Sequence, residues 1–236
     1  MSVQGPAGPE RLGVIVVAAG TSQRMGEVDK IYAPLAGKPL LAWTLDVLET
    51  CDLVDTVVVA VHRQRLLEAR DLVRQQGWQK VAQVCRGGMT RQDSVREALW
   101  RIGQCDWVAV HDGARPCAGP VLLEQGIAAA RETGAAVPAL AISDTVKRAG
   151  DDMRVLGTVE RTGLYTVQTP QVFRYQLLWD AYQQAADPAS DDAGLVERQG
   201  VAVQLFAGSA DNIKVTMPGD IERAERILAG RRIAAP

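Results

Sequence analysis

The sequence predicts an α/β fold: a mostly parallel twisted sheet covered by helices, with a β-hairpin arm inserted late in the chain. Three observations predict it. Short β-branched runs alternate with amphipathic stretches, the early runs are apolar on both faces, and between Thr145 and Phe173 the alternation gives way to a hairpin pattern.

The elements follow in order. Residues 13–18 read as the first strand and 40–48 as the first helix; 56–61 and 65–74 form the next pair, then 81–85 with 91–102. A fourth strand at 107–110 leads to a helix over 120–132. In the arm, Thr145-Val146-Lys147-Arg148 and residues 155–160 flank a turn at Ala149-Gly150-Asp151-Asp152. Helical patterns return at 175–186 and 218–228, with a strand near 201–206 and an alternating run, Ile213-Lys214-Val215, that reads as a central strand. A short helix after Ser190-Asp191-Asp192 reads as structural, with Ser190 or Asp191 as its cap. This organisation predicts a flexible tail at 1–10 and a single domain over 11–236, with the arm at about 143–173.

Composition narrows the function classes. With 236 residues, 47% of them apolar, the chain can bury a full core. Its net charge of −2 comes from interspersed acids and bases, so no polybasic block exists to track a nucleic-acid backbone or an anionic lipid surface. The apolar runs are far shorter than the roughly 20 residues that span a bilayer, so no membrane association is expected. Residues 1–10 carry two Gly-Pro pairings and no apolar stretch, which reads as a tail and not a signal peptide, and the expected location is the cytoplasm. Cys51, Cys85, Cys105 and Cys117 are too widely spaced for a zinc site and read as free thiols.

Ligands of a parallel sheet bind beyond the carboxyl ends of its strands, so the residues there carry the functional argument. After the first strand come Ala18-Ala19-Gly20-Thr21-Ser22-Gln23-Arg24-Met25-Gly26, and then Lys30. Small residues let the backbone approach a ligand closely, successive N–H groups form an anion-binding concavity, and Arg24 and Lys30 add positive charge. The segment matches neither GxxxxGK[ST] nor GxGxxG, and His62, not an acid, follows the second strand. Taken alone, the loop is equally a tight turn joining strand to helix.

Gly87-Gly88 follows the third strand, and Thr90 with Asp93 fits a helix-start capping pattern that needs no ligand. Capping leaves Gly87, Gly88 and Ser94 unexplained. Asp112 ends the fourth strand; from position alone it reads either as a solvated turn aspartate or as the candidate magnesium ligand, because one carboxylate plus substrate phosphates can hold that ion. His111 beside it reads as a structural histidine. Thr145, Lys147, Arg148 and Arg161 make the arm polar and basic, the ordinary character of a solvated hairpin. Lys214, between Ile213 and Val215, is costly to bury without an anionic partner.

These segments, with Gly87-Gly88-Met89-Thr90-Arg91-Gln92-Asp93-Ser94-Val95, His111-Asp112-Gly113-Ala114-Arg115-Pro116, Gln168-Thr169-Pro170-Gln171-Val172-Phe173 and Asn212-Ile213-Lys214-Val215-Thr216, resemble the 2-C-methyl-D-erythritol 4-phosphate cytidylyltransferases over nearly the whole chain after residue 12. Two positions depart from the usual pattern: Ser22 stands for a second loop glycine, and Asp29 for a proline before the lysine.

The resemblance implies a Rossmann-like nucleotidyltransferase that joins CTP to a sugar-alcohol phosphate with Mg2+, in isoprenoid precursor synthesis. It assigns Ala18, Ala19, Gly20, Thr21, Gly87, Gly88 and Ser94 to CTP, with Arg91 supporting the base-reading loop. It assigns Arg24, Lys30, Arg161 and Lys214 to catalysis, and Asp112, Arg115, Thr145, Arg161 and Lys214 to the second substrate. It also implies a homodimer in which Thr145 and Arg161 act across the interface. The alternatives are a cytidylyltransferase for another polyol phosphate, such as ribitol 5-phosphate, and a catalytically silent nucleotide-binding regulator. A dinucleotide-dependent oxidoreductase would lack its glycine fingerprint here.

Overall fold

The structure is a computed structural model that describes residues 10–20 and 31–234. The chain begins with β1 (Leu12–Ala18), the short pair β2 (Pro34–Leu35) and β3 (Lys38–Pro39), α1 (Leu40–Thr50) and β4 (Val54–Val61). A 3-10 turn at Arg63–Arg65 leads into α2 (Leu66–Gln76), followed by β5 (Val81–Arg86), α3 (Arg91–Leu99), β6 (Trp107–Asp112) and α4 (Val121–Thr133). Next come β7 (Ala135–Ala141), β8 (Val146–Ala149), β9 (Val155–Val159), β10 (Tyr165–Val167) and β11 (Gln171–Arg174). The chain closes with α5 (Tyr175–Gln184), α6 (Asp192–Glu197), β12 (Gln204–Ala207) and α7 (Pro218–Ala234).

The main sheet has the order β10-β7-β11-β6-β1-β4-β5, with β12 paired to β7. Strands β5, β4, β1 and β6 are mutually parallel, and β11 runs antiparallel between β6 and β7. Side chains alternate across this sheet, which explains why its strands are apolar on both faces. Val14, Val16, Val57 and Val59 join the core beneath α1, α2 and α4, whereas Ile15, Val58 and Ala60 join Val95, Leu99 and Leu178 on the side of α3 and α5. A third cluster, including Leu35, Leu40, Val215, Ala224 and Leu228, seats α7 against the loop that carries Lys214.

The connections fix where the site lies. From β1 the chain passes through α1 to β4 on one side, and from β5 through α3 it crosses to β6 on the other. A crevice opens at the carboxyl end of the sheet where the winding reverses. Among the described residues no helix is long and apolar enough to cross a membrane.

Several expectations need correction. The arm hairpin is β8 paired antiparallel with β9, Lys147 opposite Thr158, but the stretch from 165 to 173, predicted as part of the arm, returns to the main sheet through β10 and β11. Strand β7 was not anticipated. Ile213-Lys214-Val215 is not a strand; it is a loop tied down by Val215 N donating to Ala114 O at 2.8 Å. Residues 1–9 of the predicted tail lie outside the described residues; Glu10, its last residue, pairs with Arg131 at 2.9 Å and Arg174 at 3.4 Å. Cys51, Cys85 and Cys117 are buried free thiols, and Cys105 is half-buried.

Candidate active site

The crevice is a cleft of about 550 Å³, lined by Ala18 at the end of β1 and Ala19 and Gly20 just after it, by His62 directly after β4 and by Asp112 at the end of β6. Gly88, Arg91 and Ser94 form another wall, and Lys214 reaches in from the loop before α7. Ala18 and Ala19 are buried and Gly20 is exposed.

The wall built by the Gly87–Ser94 segment is tightly specified. Thr90 caps α3 by accepting from Asp93 N at 3.0 Å, while the Asp93 carboxylate accepts from Thr90 N at 3.1 Å, a complete capping box. Capping does not account for the glycines, but packing does. A Cβ on Gly87 would sit 2.3 Å from the Ala19 Cβ, and one on Gly88 would sit 2.2 Å from the Asp93 Cβ. The loop therefore lies close against the strand β1 exit. Ser94, 1% exposed, donates its hydroxyl to Thr90 O at 2.9 Å and accepts from Gly88 N at 3.1 Å. With its proton committed, the oxygen can offer a ligand only an acceptor.

Asp112 is 6% exposed at the end of β6, with cations on both oxygens. Lys214 Nζ lies 2.9 Å from Oδ2, Arg115 Nε 3.5 Å from Oδ2 and Arg91 Nε 3.5 Å from Oδ1. Burial alone would raise its pKa, but Lys214, Arg91 and Arg115 outweigh that effect and hold the carboxyl well below the usual range. It is ionised at neutral pH. Beside it, His111 is pushed down to about 4, chiefly by burial, and its Nδ1 meets Thr169 Oγ1 at 3.0 Å. Since that hydroxyl oxygen already accepts from Asp112 N at 3.0 Å, its proton is free for the ring, and His111 is a neutral structural residue.

Lys214 reaches Asp112 because its loop is anchored from both sides. Arg115 Nη1 donates to Asn212 O at 2.7 Å, and Asn212 Nδ2 donates to Thr169 O at 2.8 Å. Arg115 thus supports the cleft from beneath: it is 9% exposed and is not among the described residues lining it.

Gly87 shapes the cleft from behind, and Gly88, Ser94, Asp112 and Lys214 converge on it. Thr145 and Arg161 do not. Both are exposed on the arm, where Arg161 Nη1 donates to Ser143 O. Thr21, Arg24 and Lys30, with the departures Ser22 and Asp29, lie outside the described residues. Sequence reasoning missed His62 as a lining residue and read Asp192 only as part of a structural helix. Asp192 is 0% exposed and pairs with Arg91 at 2.8 Å, whereas Asp191 is the α6 cap, as anticipated.

For a metal, Asp112 is the only carboxylate among the described residues that line the cleft, and no three His, Cys, Asp or Glu side chains among those described converge on a metal position. One ionised carboxylate fits magnesium shared with substrate phosphates and not a cage built by protein alone.

Comparison with known proteins agrees with this geometry. Residues 12–230 match the family model described as 2-C-methyl-D-erythritol 4-phosphate cytidylyltransferase. A protein of that name from Dehalococcoides mccartyi is 43% identical over 93% of this chain and 96% of its own length. Another from Alkaliphilus oremlandii is 40% identical over 93% of this chain and 95% of its own. The crystal structure of the Thermus thermophilus enzyme superposes with a TM-score of 0.74 at 32% identity, covering 93% of this chain and 99% of that one. That of 4-diphosphocytidyl-2C-methyl-D-erythritol synthase from Anaerococcus prevotii gives 0.81 at 28% identity, covering 94% and 100%. On this match, spanning the strand ends, the capped glycine loop and the Asp112–Lys214 pair alike, the chain belongs to the 2-C-methyl-D-erythritol 4-phosphate cytidylyltransferase family.

Proposed function

We propose that this protein transfers the cytidylyl group of CTP to 2-C-methyl-D-erythritol 4-phosphate, releasing pyrophosphate, as a cytoplasmic step of isoprenoid precursor synthesis. The observation that carries the reading is the ionised, buried Asp112 beside Lys214, in the same cleft as the acceptor-only hydroxyl of Ser94.

The cytosine lies against Gly87 and Gly88, where the 4-amino group donates to Ser94 Oγ. The triphosphate follows the backbone of Ala18, Ala19, Gly20 and Thr21. A phosphate oxygen of the second substrate attacks the α-phosphorus in line. The new P–O bond forms as the bond to the α,β-bridging oxygen breaks, and that electron pair leaves with pyrophosphate. The nucleophile is already anionic at neutral pH, so no general base is needed, and His111 is not called upon.

What the reaction needs is positive charge held in place. Lys214 and Arg161 orient the attacking phosphate, Arg24 and Lys30 stabilise the departing pyrophosphate, and Asp112 keeps Lys214 aimed while supplying a ligand for magnesium. Bound there, magnesium would neutralise phosphate charge. Arg115 supports the acceptor site through the Asn212 loop, and Thr145 and Arg161 come from the arm of a second copy in a homodimer.

The test is pyrophosphate release with CTP and magnesium, comparing methylerythritol phosphate with ribitol 5-phosphate. Release with the first and not the second is expected. The reverse would overturn the substrate assignment, and silence with both would favour a nucleotide-binding regulator.

A further inference from the structure

Beneath the cleft lies a second carboxylate that the chemistry above does not use. Asp192 opens α6 and is 0% exposed. Its Oδ1 accepts from the buried Tyr182 hydroxyl at 2.5 Å, and its Oδ2 lies 2.8 Å from Arg91 Nη2. Arg91 lines the cleft and places Nε 3.5 Å from Asp112 Oδ1. One guanidinium therefore spans two carboxylates, one at the reacting end of the cleft and one in the interior.

A buried carboxylate is costly unless its charge is used. Local structure does not use it here. The cap of α6 is supplied by Asp191, which accepts from Gly194 N at 3.0 Å, and the helix is packed by Ala193, Leu195 and Val196. The position of Asp192 is fixed from outside the cleft as well. Gln171 of β11 donates to Asp191 at 2.7 Å and accepts from Ala193 N at 3.2 Å, while Gln92 of α3 accepts from Ala189 N at 3.1 Å. The scaffold thus holds Asp192 against Arg91: the Tyr182 hydroxyl orients one carboxylate oxygen, and the other faces the guanidinium, the one cation paired with Asp192 among the described residues.

We propose that Asp192 is a positioning residue for cytidylyl transfer: it holds the Arg91 guanidinium back so that Asp112 keeps the orientation in which it meets Lys214. With Asp192 neutralised, Arg91 retains a single carboxylate and closes on Asp112, drawing it from Lys214. The inference rests on the proposed role of Asp112 at the reacting phosphates, which Asp112→Asn tests separately.

The experiment is a double-mutant cycle on the full-length protein, with kcat and both KM values measured by pyrophosphate release and folding followed by thermal melting. Asp192→Asn is expected to lower kcat tenfold or more while the KM for CTP changes less than threefold. In an Arg91→Met background the same substitution is expected to change kcat less than twofold, because the group it acts through is gone. A folded Asp192→Asn protein with unchanged kcat would overturn the proposal, as would equal losses in both backgrounds, the mark of a merely structural role. If Asp192→Asn does not fold, Tyr182→Phe, which keeps every charge, carries the same cycle with an expected loss of twofold to fivefold that vanishes with Arg91→Met. Full kcat in Asp112→Asn would instead remove the reading on which the proposal rests.

Discussion

The Lys214 ammonium lies 2.9 Å from an oxygen of Asp112, joining the loop before α7 to the end of β6 across the floor of the cleft. The pairing gives each residue a second function. Asp112 makes the lysine tolerable at the cleft wall, and Lys214 keeps the carboxylate ionised despite its burial.

Lys214→Met should therefore lower kcat/KM by about 10²–10³, the usual effect of losing one preorganised charge at a phosphoryl centre. Stability should change little, because Arg91 and Arg115 still flank the Asp112 carboxylate when the lysine is gone. Steady-state pyrophosphate release beside a thermal melt checks both parts. A large drop in melting temperature with intact turnover would reassign the pair to structure.

Ser94 supplies a prediction about the base. Its proton is spent on Thr90 O, so the oxygen can accept from the 4-amino group of cytosine but has nothing to donate to the 4-oxygen of uracil. Ser94→Ala should lower kcat/KM for CTP about tenfold and affect UTP much less, narrowing the discrimination. An unchanged CTP-to-UTP ratio would remove Ser94 from base reading.

The glycine wall gives a steric version of the same test. A Cβ on Gly88 meets both the Asp93 Cβ at 2.2 Å and its backbone carbonyl carbon at 3.1 Å, so the loop itself must move. Gly88→Ala should raise the KM for CTP tenfold or more. Gly119→Ala, where a Cβ meets nothing within 4 Å, should leave it unchanged. Equal KM values in the two variants would show that the loop does not contact CTP.

Much of this was legible from local pattern. The run over β1 buries almost every residue, Thr90 and Asp93 announce the start of α3, and Asp112 ends a fully buried strand. Strand β7 was hidden because Ala135-Ala136-Val137-Pro138-Ala139 is poor in β-branched residues and contains proline. Proline is tolerated there because its missing N–H falls where the ladder is interrupted between β10 and β11, with Pro138 O still accepting from Gln168 N at 2.7 Å. Ile213-Lys214-Val215 alternates like a strand but pairs in no ladder among the described residues, and single bonds at Asn212 and Val215 hold it in place. The Asp192–Arg91–Asp112 chain was illegible for another reason. It joins residues far apart in sequence, and no local pattern records which carboxylate a guanidinium will face.

Asp220 provides the pH dependence. Its carboxylate accepts from Thr216 N at 2.8 Å, Met217 N at 2.9 Å and Thr216 Oγ1 at 3.0 Å, tying α7 to the Lys214 loop. Burial would raise its pKa, but these bonds bring it below the ordinary 3.8. A depressed carboxyl stabilises the fold above the unfolded value and loses that contribution as pH falls through the folded one. Urea unfolding should therefore show Asp220→Asn less stable than the parent at pH 7. The gap should begin to narrow near about pH 4, the unfolded value, and close as pH falls on through the depressed value of the folded parent. A gap independent of pH would mean that the charge contributes nothing.

The arm carries the last prediction. Met153, Val155 and Leu156 are 83%, 62% and 68% exposed, although an isolated hairpin is barely stable in water. Thr145 and Arg161 sit on that arm, away from the cleft of their own chain. Both facts are accounted for if the arm packs on a second copy and lends it Arg161, the closed twofold arrangement most common among oligomers. Sedimentation should then give a dimer that Leu156→Lys weakens. Mixing inactive Lys30→Ala and Arg161→Ala subunits should restore activity. Each heterodimer would hold one site with both substitutions and one with neither, so a random mixture should approach about a quarter of the parent's activity, given one site per subunit in a closed dimer. Verified heterodimers with no recovery would place Arg161 in the site of its own chain.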